Sequence, residues 1–243
     1  MVIVFYALKR SMYSGLVMSA DLIEVTNTPA VLKEFLEYVD SDRFACIGAK
    51  TAAAMNTLIH RDCSRESKFT LSDAFEILRK FCINREQISM TNSTFVITFS
   101  DKRFADETSF ESFLWDTLSE MHVLDRNAGY SWSDECSSDP SSPEFGFSLV
   151  NEPFFVVGLH PLASRESRRS PLPALVFNAH RQFRYLKKLG TFEKMQAEIR
   201  RREISIQGDL NPNLSNFGDD SEARQYAGNA TDSGWKCPFS KKN

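Results

Sequence analysis

The segment at 154–169 reads FFVVGLHPLASRESRR. Its apolar half has strand character, ends at His160-Pro161, and gives way to Arg165, Arg168 and Arg169 within ten residues. The guanidinium group is a planar fork of donors that matches a carboxylate or phosphate at two points. Three of them beside a buried strand read as a grip on an anion. A plainer reading stands next to it: surface arginines make weak, solvated pairs, and a histidine at a strand end is often a hydrogen-bonded structural residue. Cys46, in apolar context before Gly48, and Cys237, beside Trp235 and Pro238, bring a second kind of chemistry. Each is either a small buried hydrophobe or a thiolate held deprotonated by a metal. The stretch GDLNPNLSNFGDDSEARQYAG (208–228) is long for an irregular segment inside a domain, yet too rich in apolar residues for disorder. Glu222, Arg224 and Gln225 within it are candidates for a buried polar network or a substrate contact; the alternative is a packed Ω-type loop.

Other chemistries lack their signatures. No GxGxxG, GxxxxGK[ST], HExxH or GxSxG occurs. The five cysteines are scattered, odd in number and without a CxxC pair, which removes zinc-site spacing and fits reduced thiols. With 29 basic and 32 acidic residues the net charge is -3, so the chain has no general attraction to nucleic acid or to an anionic membrane, and any basic function is local. The opening MVIVFYALKRSMYSGLVMSA places its charges after a short apolar run, a poor secretory signal and too short to span a bilayer. The expectation is a soluble, cytoplasmic protein.

The elements that must position these residues follow from periodicity. Thr28-Pro29 opens a helix with Val31, Phe35 and Val39 on one face. Segment 44–60 begins apolar and becomes an Ala-rich helix after Gly48. A helix starts at Thr70–Asp73 and runs to about Phe81, with Phe75, Leu78 and Phe81 inward. STFVITF (93–99) reads as a strand. Thr108 and Glu111 have capping-box spacing, ahead of a stripe of Phe110, Phe113, Leu114, Leu118, Met121 and Leu124. Residues 126–143 read as a turn-rich loop. EFGFSLV (144–150) and FFVVGL (154–159) form a hairpin turning at Asn151–Pro153, and PALVFN (173–178) is a further strand. It runs into a helix ending at Gly190, and residues 191–204 form another, with Phe192, Met195 and Ile199 on its apolar side. Strands and helices mix without regular βαβ alternation, which predicts an α+β fold: one domain, a mixed or antiparallel sheet packed with several helices.

Seven segments together carry a resemblance: FxCxGAxxA (44–52), SFESFLWDTLSEMHVLD (109–125), FFVVGLHPLASRESRR (154–169), PALVFNAHRQF (173–183), GDLNPNL (208–214), SEARQYAG (221–228) and WKCPF (235–239). In this order they resemble the YqcI/YcgG family over roughly residues 40 to 239. Each is weak alone; the ordered set is specific. Residues 1–25 find no counterpart and form a variable segment ahead of a domain over 26–243. The resemblance implies heme b chemistry: N-hydroxylation of a guanidino or amine group of a small molecule, arginine or a derivative, using molecular oxygen and an external electron donor. Heme in turn needs an axial ligand, for which Cys46, His160 and Cys237 are the candidates in that order because a thiolate favours O–O cleavage, and an apolar slot that Phe154, Phe155, Val156 and Val157 can help wall. Arg165, Arg168 or Arg169 would hold the propionates. A carboxylate would orient the cationic substrate, Glu222 first and Asp125 second. Two departures stand out: the family's Phe-Pro-Cys is Phe44-Ala45-Cys46 here, and Asn229 stands where an arginine is expected. Two rival readings are a cofactor-free enzyme, with Cys46 as nucleophile and His160 or His180 as base, and an interaction module presenting the Arg-rich turn with Arg200–Arg202.

Overall fold

The computed structural model describes residues 29–216 and 218–239. The chain runs α1 (Pro29–Asp40), α2 (Ile47–Ala54), β1 (Leu58–Asp62), α3 (Leu71–Ile88), β2 (Thr94–Thr98) and α4 (Glu107–Asn127). Then come β3 (Phe147–Leu149), β4 (Glu152–Leu159), a 3-10 turn (Glu166–Arg168), β5 (Ala174–Ala179), α5 (His180–Lys188), α6 (Phe192–Gln207) and α7 (Ala223–Tyr226). The segment 1–25 and the Thr28 cap lie outside the described residues.

The five strands form one mixed sheet in the order β1-β2-β5-β4-β3, parallel between β1 and β2 and antiparallel elsewhere. The architecture is α+β, as expected. Among the described residues no helix is long and apolar enough to cross a membrane.

The pleat divides the sheet chemically, because successive side chains point to opposite faces. On one face Phe95, Ile97, Phe154, Val156, Leu175 and Phe177 join Phe75, Leu78 and Phe81 of α3 and Phe110, Leu114, Leu118 and Met121 of α4 in the main core. On the other, Val96, Leu159, Ala174 and Val176 pack against Phe35, Tyr38 and Val39 of α1 and Phe44 in a smaller cluster. That second face is incompletely covered by core residues, and the cavity described below lies against it.

Several boundaries differ from the expectation for identifiable reasons. Helix α4 starts before Thr108: Asp106 caps it, accepting from the Ser109 amide at 2.7 Å while Ser109 Oγ accepts from the Asp106 amide at 3.1 Å. Helix α3 has the expected Thr70–Asp73 capping box but continues to Ile88. Its later turns include Arg85, a buried charge paired with Glu152, and a charged residue hides the apolar period. Strand β1, LIHRD, differs from the expected helix because it is an edge strand and three of its five residues are polar. The hairpin turns at Val150 and Asn151, with φ of +55° and +56°, so Glu152 and Pro153 belong to β4. Positive φ at both turn residues matches the twist of the flanking strands and strains a β-branched valine. The Asp125 carboxylate holds that turn by accepting from the Val150 amide at 2.7 Å.

Strand β4 and helix α4 meet at Gly158. A Cβ there would stand 2.7 Å from Leu114 Cδ1, 2.8 Å from Phe110 Cε1 and 2.9 Å from the Tyr226 carbonyl oxygen. Gly158→Ala therefore overpacks the contact of β4 with α4 and α7, and should lower stability by about 1–3 kcal/mol. A urea midpoint equal to the parent's would contradict this packing.

Candidate functional site

Against the second sheet face lies a cavity of about 270 Å³, near the lower end of the range for small-molecule sites. Phe155, Val157 and Leu159 of β4 form its floor. Phe44, Ala45, Cys46, Gly48 and Ala49 line one side, Phe183 and Leu186 of α5 another, and Met195, Ile199, Arg200 and Glu203 of α6 the roof. Asn178, Gln182 and Gln225 bring amides to an otherwise apolar wall. The run 154–157, expected to wall a slot as a unit, is split by the pleat: Phe154 and Val156 enter the main core, and Phe155 and Val157 face the cavity.

Cys46 stands at the N-cap of α2 with its thiol on the cavity. Burial pushes the thiol up from its ordinary value; the amides of Ala49 and Gly48 and the Arg168 guanidinium oppose that. Helix N-termini and nearby cations favour thiolate, so the site holds the ingredients for deprotonation once a cation binds the sulfur. Gly48 faces Cys46 and α6: the position of a Cβ there would lie in ordinary contact with Cys46 Sγ at 3.8 Å and Met195 Sδ at 3.7 Å.

Arg168 also faces the cavity. Its guanidinium donates to the carbonyls of Gly158 (3.2 Å), Tyr226 (3.2 Å) and Gln225 (3.0 Å). All of these partners are backbone oxygens, so the side chain keeps its full charge there, and burial pulls its pKa below the usual arginine value. Arg200 brings a second cation; its buried Nε has no hydrogen-bond partner, while one terminal nitrogen donates to Asn216 at 2.9 Å. Glu203 is the carboxylate of the cavity. Arg165 donates to its Oε1 twice, at 3.2 and 2.9 Å.

The residues singled out from the sequence thus separate. Cys46, Phe155 and Arg168 come together around the cavity. Arg165 lies behind it, engaged with Glu203 and Asp209. Arg169 is part-exposed, pairs with Glu166, and donates to the Ala163 carbonyl at 2.9 Å. His160 sits on the main-core side, its ring stacked on Phe110 with centroids 4.1 Å apart. Neither of its ring nitrogens has a hydrogen-bond partner. Cys237 packs at the edge of the main core, where burial pushes its thiol up to about 12. Asp125 holds the hairpin turn, and burial raises its carboxyl to about 6. Glu222 is buried in a polar network: it faces His180 Nε2 at 3.0 Å and accepts from the Tyr226 hydroxyl. Burial raises its carboxyl, opposed by His180 and Tyr226. None of these last four lines the cavity. Asn229 ties the C-terminal segment to α4, donating to Glu111 at 3.0 Å.

Glu203 is absent from the residues singled out in the sequence, although a signal for it exists, and Arg200 stands there only in the interaction-module reading. Met195, Ile199 and Glu203 recur every four residues, which places a carboxylate on the apolar face of α6. The Arg200–Arg202 run spreads as its spacing requires: Arg200 faces the cavity, Arg201 pairs with Glu198 in solvent, and Arg202 reaches the Phe44 carbonyl at 3.3 Å.

His160 yields a pH prediction. Burial depresses its folded pKa to about 4, against roughly 6.5 for the unfolded chain. The stability from burying the neutral ring is fully present above about pH 6.5 and is lost as pH falls from there toward 4, up to about 3 kcal/mol. His160→Phe keeps the ring stack and removes this titration. Its urea midpoint should fall less than the parent's between pH 7 and 4.5; parallel declines would contradict the assignment.

A family model described as the YqcI/YcgG family matches residues 32–240, and the chain belongs to that family. No curated protein and no solved structure matches the chain.

Proposed function

We propose, from membership of the YqcI/YcgG family together with the cavity, that this protein binds heme b between the β4 face and α6. With it, the protein hydroxylates a nitrogen of a small cationic molecule carrying a guanidino or amine group. The observation that carries the reading is the meeting of one thiol, two arginines and one carboxylate on an apolar cavity wall. These are the kinds of group that heme requires: a soft axial ligand, apolar surface for the macrocycle, and cations for its two carboxylates. Among the described residues no three His, Cys, Asp or Glu side chains gather as a metal-ion site, and an axial bond to heme needs only one ligand.

Cys46 would hold the heme iron in this reading. His160, stacked on Phe110 across the sheet, and Cys237, at the edge of the main core, are replaced in that role by position. Arg168 and Arg200 hold the propionates, in place of Arg165 and Arg169, which are engaged with carboxylates of the protein itself. Heme with a thiolate ligand supplies oxygen activation, because the thiolate favours O–O cleavage. The remaining work belongs to the chain. Glu203, whose Oε1 is held by Arg165, would present its other oxygen to a cation at the roof, the amides of Asn178, Gln182 and Gln225 would fix its orientation, and the apolar floor would exclude water. Electrons come from an external donor. A cofactor-free nucleophile finds less support, since neither His160 nor His180 lines the cavity with Cys46 as a base.

Hemin titration of the purified protein tests the assignment. Cys46→Ala should shift the Soret band and weaken binding by about tenfold or more, and Arg168→Ala by roughly tenfold with the band unshifted. His160→Phe should leave both unchanged. A parental spectrum from Cys46→Ala, or loss of heme in His160→Phe, would overturn it.

A further inference from the structure

Helix α6 roofs the cavity, yet none of its 16 residues is buried. A helix on a globular domain ordinarily seals an apolar stripe in the core; the inner face of α6 looks onto open volume instead. Both ends are glycines in the left-handed region. Gly190, just ahead of the helix, has φ of +64°, and Gly208, its C-cap, has φ of +91°. Around each lies open space, with nothing within 4 Å of where a Cβ would stand. Left-handed glycines free of packing are natural pivots.

Phe192 packs on Phe183 at the start of the helix and Arg200 and Arg202 bond Asn216 and the Phe44 carbonyl along it, while the C-terminal end is held by a cluster of polar contacts. Arg165, which precedes the 3-10 turn, donates to Glu203 Oε1, to the Asp209 side chain and to the Asp209 carbonyl at 2.7 Å. The Glu166 amide donates to Gln207 Oε1 at 2.8 Å. The same turn carries Arg168 three residues on, in the cavity.

We propose that α6 is a lid hinged at Gly190 and Gly208 and latched by Arg165, and that Arg165 is a positioning residue setting Glu203 at the cavity wall. The proposal deepens the reading of the cavity as a ligand site and rests on it. A ligand larger than the closed cavity of about 270 Å³, a tetrapyrrole included, is held with the roof displaced from β4. A small cationic molecule is enclosed when the latch closes. Contacts of a ligand with Arg168 reach the latch through a single 3-10 turn.

The test needs no ligand, because Cys46 lies under the lid and reports its opening. Alkylation by iodoacetamide, resolved by peptide mass spectrometry, compares Cys46 with Cys136 and Cys237 in the same molecules. Arg165→Ala should raise the Cys46 rate roughly tenfold, the loss of about one charge-assisted contact, with Cys136 and Cys237 unchanged. Amide exchange over 192–207 should rise in step, and Arg165→Lys should lie between variant and parent. Glu203→Gln, which keeps the side-chain shape, should raise the Cys46 rate in the same direction and serves if Arg165→Ala folds poorly. An unchanged Cys46 rate, or an equal rise at all three cysteines, would overturn the lid. Loss of heme in Cys46→Ala alongside an unchanged alkylation rate in Arg165→Ala would sink the lid and keep the heme site; the reverse pair of results would do the opposite.

Discussion

The Arg168 guanidinium ties the site together. It is a buried cation whose hydrogen bonds go to the carbonyls of Gly158, Gln225 and Tyr226, so one side chain joins β4, the 3-10 turn and α7. Backbone oxygens satisfy its donors without cancelling its charge. A buried charge in that condition is costly unless something else compensates it. Glu203, itself gripped by Arg165, is the carboxylate that offsets it. The Arg168 charge in turn favours the thiolate form of Cys46, and an anionic ligand group would add to the compensation.

The sheet makes this possible by keeping its two faces apart. Large aromatic residues fill one face: Phe95, Phe154 and Phe177 against Phe81, Phe110 and Trp115. Stability rests there, in packed apolar area. The opposite face needs fewer large residues, and Gly48, Ala49 and Ala52 of α2 leave room beside it. Division of labour between the faces explains why His160 stacks on Phe110 in the main core while Phe155, five residues earlier, reaches the cavity, touching that core through Tyr226.

Much of the fold was legible because it obeys local rules. The α+β class, β2, β4, β5 and the Thr70 cap follow from periodicity and capping chemistry. Strand β1 and the late turns of α3 were not, since Arg61, Asp62 and Arg85 are charged residues buried by tertiary pairing, which no local pattern announces. The site was legible in part. Cys46, Phe155 and Arg168 were found through their motifs, whereas Glu222 and Asp125 were chosen as carboxylates in the right neighbourhood and turn out to hold Tyr226 and the hairpin. Glu203 was visible only as a four-residue spacing on α6. The choice among Cys46, His160 and Cys237 depended on which sheet face each reaches, a long-range property.

We propose that one cavity, floored by β4 and roofed by α6, would take heme in this YqcI/YcgG protein. Amide hydrogen exchange with and without hemin tests it most directly. The account predicts that protection is gained at 44–53, 155–159, 178–186 and 192–207 and nowhere on the main-core face. Protection centred instead on 107–125, His160 and 235–239, or none at all, would contradict it.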